Sequence, residues 1–216
     1  MKREKLVTFI VVAYNAGDKL KSLIKDIKSQ SYAHNLIEII LVDSSSSDNT
    51  KKVMLEFSRS NHDFKRIIVL DNLKKVLPSG WNVALKEAEG DIILRVDAHS
   101  SLPHDFIEKN VKHINKGEKI VGGHRISIID EDNSWQKVLL AAEKSLFGSG
   151  IAAYRRSEKE GYVSTLAHAA YSKEVFDAVG PYNERLFRTE DNEMHYRMRE
   201  KGYKFYFNPE IISYHH

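Results

Sequence analysis

The 216-residue chain contains no cysteine. That excludes a disulfide framework, a thiolate nucleophile and any metal site built on sulfur, and leaves oxygen and imidazole as the available ligands. Long apolar runs are also missing, since no segment approaches the roughly 20 apolar residues that span a bilayer. The start, Met1-Lys2-Arg3-Glu4-Lys5, is a charged flank, but Thr8 interrupts the apolar run from Leu6 to Val12. The run ends at Ala13-Tyr14-Asn15 without a small-residue cleavage pattern, so it reads as a core strand and not as a signal peptide. The expectation is a soluble or peripheral protein of the cytoplasm. Neither G-x-G-x-x-G after the first strand nor G-x-x-x-x-G-K-[ST] is present, and the 10 histidines show no H-E-x-x-H. These absences argue against dinucleotide oxidoreductases, P-loop nucleotidases and zinc proteases. An excess of charge of one sign is lacking as well. The 33 Lys and Arg against 30 Asp and Glu leave +3, which fits anionic small molecules or a membrane surface better than nucleic acid. The 4 prolines fall at element boundaries and there are no repeats or linkers, so residues 1–216 read as one domain.

With 42% hydrophobic residues, a chain of this size can bury roughly 70% of its unfolded surface. The first half alternates strand and helix signals. Leu6 to Val12 is strand-like, and Asp18 is placed to cap a helix with Leu20, Leu23, Ile24 and Ile27 on one face. Ile37 to Val42 is a second strand, followed by a polar turn and a helix carrying Val53, Met54 and Phe57. Ile67 to Leu70 is a third, Pro78 and Ser79 start a helix ending near Gly90, and Ile92 to Val96 is a fourth. This order, with near-continuous apolar strands, predicts an α/β fold whose mostly parallel sheet is covered on both faces. Ligands of such sheets bind at the carboxyl ends of the strands, where Tyr14-Asn15, Asp43 and Asp97 with His99 collect.

The second half is less regular. A helix is expected from Pro103 to about Asn115, then Ile120-Val121 leading to Gly122-Gly123. A helix from Trp135 to Phe147 would place Trp135, Val138, Leu139, Ala142, Leu146 and Phe147 on one face, either core packing or a peripheral membrane contact. Gly148 to Val163, with Arg155 and Arg156, reads as a mobile loop over the site. Leu166 to Tyr171 is a short strand, Ser172 caps a helix ending at Gly180-Pro181, and Glu190-Asp191 open another that Gly202 ends.

Two places carry chemistry. Asp97-Ala98-His99 stands where an apolar strand stops. A nucleoside diphosphate needs Mg²⁺ or Mn²⁺ to offset its charge, and an Asp with a second ligand two residues on can share that ion; the imidazole favours Mn²⁺. The plain alternative is a turn or helix cap. Glu190-Asp191 offers a general base, against the plain reading of acids that complement a helix dipole. Asp43 at a strand end can accept a hydrogen bond from a nucleobase and Tyr14 can lie against it, or the two can be a turn residue and a packing residue.

Val11-Val12-Ala13-Tyr14-Asn15, Leu41-Val42-Asp43, Gly80-Trp81-Asn82, Arg95-Val96-Asp97-Ala98-His99, Val121-Gly122-Gly123 and Thr189-Glu190-Asp191-Asn192-Glu193 together resemble the family 2 glycosyltransferases of GT-A fold, nearly end to end. The Arg-Val-Asp-Ala-His form, Tyr162 to Ala170 and Glu190 to Arg197 are most similar to the bacterial succinoglycan-type exopolysaccharide enzymes. The resemblance implies a Rossmann-like nucleotide-sugar half, 1–100, and an irregular acceptor-binding half, 101–216. It implies an inverting transferase that moves a sugar from a UDP-sugar to a glycan or lipid-linked acceptor, in the cytoplasm or at the inner face of the cell membrane. Carried over by motif, Ala13, Tyr14 and Asp43 hold the uridine with Asn15 beside them, and Asn82 lines the nucleotide site. Asp97 engages metal and diphosphate with His99, Asp191 is the base, and Glu190 orients it or the acceptor. His215 falls where a late metal-binding histidine stands, unless it is a tag remnant. Related chains often continue into membrane-associated segments, so a truncated catalytic domain is expected.

There are departures. Val12 stands where proline is usual, Ser44 to Ser47 follow Asp43 where an acid and a glycine are common, and His99 replaces a second Asp. No Q-x-x-R-W motif is present, so processive addition is not expected. Two rivals remain. A sugar-nucleotide pyrophosphorylase would carry a Gly-, Arg- and Lys-rich loop where this chain has Tyr14-Asn15-Ala16-Gly17. A catalytically silent nucleotide-sugar-binding module would be expected to have lost Asp97 or Asp191.

Overall fold

A computed structural model describes residues 4–60, 63–128 and 158–216, together with the isolated positions 138, 141 and 142. Its elements, in chain order, are β1 (Val7–Ala13), α1 (Gly17–Lys28), a 3-10 turn (His34–Leu36), β2 (Ile37–Asp43), α2 (Thr50–Ser60), β3 (Arg66–Asp71), α3 (Leu77–Glu87) and β4 (Ile92–Arg95). They continue with β5 (Ser100–Ser101), α4 (Phe106–Asn115), β6 (Ile120–Ser127), β7 (Gly161–Val163), β8 (Ala170–Ser172), α5 (Lys173–Val179), α6 (Glu190–Glu200) and β9 (Phe205–His215). The nine strands form one sheet in the order β3-β2-β1-β4-β8-β6-β9-β5, with β7 on β9. Strands β3, β2, β1 and β4 are parallel. Beyond them β8 runs antiparallel to both β4 and β6, while β6 and β9 are parallel.

The parallel block is what the continuous apolar strands demand. Phe9 and Val11 pack with Leu20, Leu23 and Phe106 on one face, while Ile10 and Val12 pack with Trp81, Phe176 and Met194 on the other. Successive strand residues point to opposite faces, so burial on both sides requires apolar residues at every position.

Several local expectations need correction. Asp18 does not cap α1: the N-cap is Ala16 and makes no side-chain hydrogen bond, while Asp18 lies in the first turn paired with Lys21 at 2.9 Å. Ser172 is the N-cap of α5 but likewise makes no side-chain bond. Of the expected strand Leu166 to Tyr171 only Ala170 and Tyr171 pair, within β8, because His168, at φ 25, breaks the extended run. Strand β6 runs from Ile120-Val121 through Gly122-Gly123, with an irregular register against β9 between Gly122 and His124. A side chain at Gly123 would meet the Ile211 carbonyl oxygen at 1.9 Å, so the close approach of these strands requires glycine there. The Trp135 to Phe147 face and most of the Gly148 to Val163 loop lie outside the described residues. The end of that loop, Gly161–Val163, is a strand paired with β9.

Candidate active site

The carboxyl edge of the parallel strands carries the first group of candidate residues. Ala13 ends β1 and is buried, while Tyr14 beyond it is 61% exposed. Asn15 takes a left-handed φ of 49 and stitches the loop after β1 to the loop after β2. Its N–H donates to Ser46 Oγ at 3.0 Å, and its Oδ1 accepts the Ser47 N–H at 2.8 Å. Asp43 closes β2 with only 2% exposure and accepts the Ser46 N–H at 3.3 Å on each oxygen. The serines that depart from the family pattern thus fasten this edge, and Ser44 Oγ accepts from Asn72 Nδ2 at 3.0 Å.

Asn82 is not at this edge cavity. Its amide donates to the Tyr182 carbonyl and to Glu184 Oε1, both at 2.9 Å, and accepts the Tyr182 N–H at 2.8 Å. With both ends of the amide engaged, it ties α3 to the 182–184 segment and lines a separate groove of about 330 Å³ between α3 and α5. Its neighbour Trp81 faces the cavity instead.

Asp97, His99 and His215 do come together, their ligand atoms all within 4.8 Å of one another. The short β5 makes this possible: Ser100 pairs with His215 and the His216 N–H donates to the His99 carbonyl at 3.1 Å, which leaves the two imidazole rings 4.3 Å apart. His215 also pairs with Ser127 across β6 and is therefore an integral strand residue. Burial lowers the pKa of both rings, that of His215 to about 4, so at neutral pH both are uncharged and ligand-ready. Burial pushes the Asp97 carboxyl up, but the His168 hydrogen bond and the attraction of the surrounding basic side chains, Arg95 among them, outweigh it and hold the group well below the usual range. His215 Nδ1 is buried with no hydrogen-bond partner among the described residues. A carboxylate and two neutral imidazoles, one with an orphaned ring nitrogen, are a donor set that fits a divalent ion such as Mn²⁺.

His168 was not legible as a functional residue. It is buried, with Nε2 3.1 Å from Asp97 Oδ2 and Nδ1 2.9 Å from Ser213 Oγ. It fixes the carboxylate's orientation from behind, as outer partners of metal ligands do. In the sequence it is one histidine in an apolar stretch, which reads as core.

Arg95 is the second residue missed. Its signal was a charge inside an apolar strand, Ile92-Ile93-Leu94-Arg95-Val96. Arg95 is 6% exposed, and its guanidinium lies 4.5 Å over the Trp81 ring and donates from one nitrogen to Tyr182 Oη and to Asp191 Oδ1, the latter at 2.8 Å. Asp191, in the first turn of α6, keeps 42% of its side chain exposed. Burial would raise its pKa, but the Arg95 charge and hydrogen bond carry it below the usual carboxylate value. Glu190 is the reverse: it is 8% exposed, and burial, with the Asp191 charge adding, raises its pKa. The adjacent acids are thus separated into an ionised, accessible group and a buried one. Behind them His195 is fully buried, Nδ1 2.8 Å from Thr165 Oγ1 and Nε2 3.0 Å from Tyr171 Oη.

Between the two centres lies a cavity of about 160 Å³ bordered by Trp81, Arg95, Asp97, Arg125, His168 and Asp191. A group held at Asp97 and a hydroxyl held at Asp191 would meet across it.

This architecture and edge site define a GT-A fold. Residues 8–180 match Glycosyl transferase family 2, and the chain belongs to that family. The succinoglycan biosynthesis protein ExoA of Rhizobium meliloti (strain 1021) is 25% identical over 202 residues, covering 91% of this chain and 59% of that protein. Among solved structures, the mannosyltransferase PcManGT from Pyrobaculum calidifontis, in complex with GDP-Man and Mn²⁺, superposes with a TM-score of 0.74 at 18% identity, covering 99% of this chain and 57% of its own. S. aureus TarS 1-349 in complex with UDP-GlcNAc gives 0.72 at 18% identity, covering 96% and 57%. The chain therefore spans less than two thirds of each of these proteins. No helix among the described residues is long and apolar enough to cross a membrane.

Proposed function

We propose that this protein is an inverting, metal-assisted glycosyltransferase that moves a sugar from a nucleoside-diphosphate sugar, a UDP-sugar by motif, to a hydroxyl of a glycan or lipid-linked acceptor in polysaccharide assembly. The observation that carries this reading is the opposition, across one small cavity, of Asp97, which gathers with His99 and His215, and the Arg95-held Asp191 carboxylate. Both the solved mannosyltransferase with GDP-Man and Mn²⁺ and TarS with UDP-GlcNAc support a nucleotide-sugar donor.

Asp191 takes the proton of the acceptor hydroxyl while its oxygen attacks the anomeric carbon. The bond from that carbon to the diphosphate oxygen breaks with its electron pair going to the diphosphate, which departs from the opposite face, and the anomeric configuration inverts. A base with a lowered pKa is ionised at neutral pH, the first condition for this step, and Arg95 fixes its direction, the second. When bound by Asp97, His99 and His215, a divalent ion supplies charge neutralisation for the leaving diphosphate. Asn15, Tyr14 and Asp43 form the wall for the nucleoside, with Tyr14 exposed to stack on it and the buried Asp43 to accept from it.

The test is nucleotide release from a panel of UDP- and GDP-sugars, with and without Mn²⁺, followed by the anomeric configuration of the product by NMR. Metal-stimulated UDP release and an inverted product are expected. A retained configuration, or release by Asp191→Asn at the wild-type rate with acceptor present, would overturn the assignment.

A further inference from the structure

The two most exposed large apolar side chains reported among the described residues are Leu73, at 81%, and Phe187, at 79%. They belong to separate turns that the fold joins. Leu73 lies in the turn between β3 and α3 and Phe187 in the segment leading into α6, with Lys74 and Glu184 ion-paired between them. Both turns are braced. Asn72, 1% exposed, donates to Ser44 Oγ and to the Val76 carbonyl and accepts from Ser79 Oγ, while Lys75 closes the turn at φ 61 with its N–H on the Asn72 carbonyl. Asn183 Oδ1 accepts the Arg185 N–H and its carbonyl accepts the Leu186 N–H, both at 3.1 Å. Scattered apolar residues are ordinary on a surface. Two on adjoining rigid turns, bordered by more basic than acidic side chains, mark a contact site.

The charge is basic. Lys74, Lys75, Arg185 and Arg188 stand on these turns against Glu184, which is already engaged by Lys74 and Asn82, and neighbouring Asp71 is held by Lys51 at 2.6 Å. A second copy of the chain meeting this patch through a two-fold axis would set lysine and arginine against themselves. Anionic headgroups complement it.

We propose that the Leu73 and Phe187 turns dock on an anionic lipid surface, which presents the base at the start of α6 to an acceptor arriving from that membrane. The choice of a lipid occupant rests on the acceptor being lipid-linked; the contact itself stands on exposure, rigidity and charge. The apolar tips enter the interface, and each basic side chain near it strengthens binding by about fivefold.

Cosedimentation of the whole chain with phosphatidylcholine vesicles, with and without phosphatidylglycerol, tests this. The protein should bind the anionic vesicles at low salt and release as salt rises. The double variant Leu73→Ser, Phe187→Ser and the double variant Lys75→Glu, Arg188→Glu should each lose at least about tenfold in partitioning, with unchanged thermal midpoint and unchanged UDP release. No vesicle binding by the wild type at low salt, or equal binding by the apolar double variant, overturns the proposal. So does sedimentation of the free protein as a dimer that this variant converts to a monomer, since the patch would then join two copies. Vesicle binding needs neither donor nor metal. A protein that binds vesicles but releases no UDP refutes the transferase reading alone, and one that glycosylates a water-soluble acceptor but ignores vesicles refutes the docking alone.

Discussion

The strands before residue 100 and those after it hold their functional side chains by different means. At the edge of the parallel block, Asp43 and Asn15 are fixed by the amides and hydroxyls of Ser46 and Ser47, in loops that directly follow β1 and β2. In the second half the position of each functional group depends on a partner far away in sequence: Asp191 on Arg95, His168 on Ser213 and Asp97, His215 on the pairing of β9 with β5 and β6. At the first edge only the Asp43 contact is local, and the Asn15 contacts join the two adjacent loops. The geometry around Asp97 and Asp191 is a product of tertiary closure, and so it can be broken by substitutions that leave that edge intact.

The largest effect should come from Asp191→Asn, which keeps the shape and removes the proton acceptor. Turnover should fall about 10² to 10⁴-fold with UDP affinity nearly unchanged, the range for lost general-base assistance. Glu190→Gln should cost much less in turnover, because Glu190 is buried while the ionised Asp191 faces the cavity. Steady-state kinetics with isothermal titration of UDP separates the two; the reverse ranking would assign the base to Glu190.

Next in size is Arg95. Arg95→Met removes the charge that carries Asp191 below its usual pKa. The acidic limb of the pH–rate profile should therefore move to higher pH, and kcat should fall by roughly 10 to 10², the order expected when a base loses its orientation. The other groups that act on Asp191, Tyr182, Tyr171 and Asp97 from other elements and His195 on α6 itself, remain in place. Arg95→Lys should restore the position of the limb better than the rate, since an ammonium returns the charge but not the planar contact with Trp81. A profile that does not move would make Arg95 a packing residue only.

His168→Ala sharpens the comparison on the metal side. With Asp97 no longer held from behind, Mn²⁺ affinity should weaken about 10 to 100-fold, while UDP binding without metal stays near wild type because the Asp43 edge is untouched. Titration of Mn²⁺ by calorimetry reads this without any turnover. Equal affinities would leave His168 with no part in the site.

These cases also mark what the sequence made legible. The first four strands, the two-faced cover and the edge carrying Tyr14, Asp43 and Asp97 follow from apolar runs and their breaks, because continuous burial writes itself into consecutive residues. Asp97, His99 and His215 were nameable from motif resemblance, but their convergence is a property of two paired residues at Ser100–Ser101 that no periodicity announces. Arg95 was visible as a charge in a core strand and could have been read as the partner of a buried acid, since a buried guanidinium requires one. Asn82 shows the opposite limit: a motif carries residue identity but not the fact that Tyr182 and Glu184 occupy both ends of its amide.

The smallest effect concerns acid stability, where the two halves differ again. His195, His113 and His215 belong to the second half, and burial lowers all three pKa values, that of His195 to about 4. For His195 the unfolded chain gains a proton below about 6.5, while the folded protein, with the ring fully buried between Thr165 and Tyr171, gains none until about 4. Stability should therefore fall as pH drops through that window, by about 2 kcal/mol at pH 5 from this residue alone. In His195→Gln the amide keeps a donor and an acceptor but cannot titrate. Its thermal midpoint should lie below wild type at pH 7, and the gap should narrow on acidification to pH 5. A gap that stays constant would mean that His195 titrates in the fold as it does in the unfolded chain, and a gap that widens would mean that it is already protonated in the fold because the neighbouring Asp191 carboxylate outweighs burial.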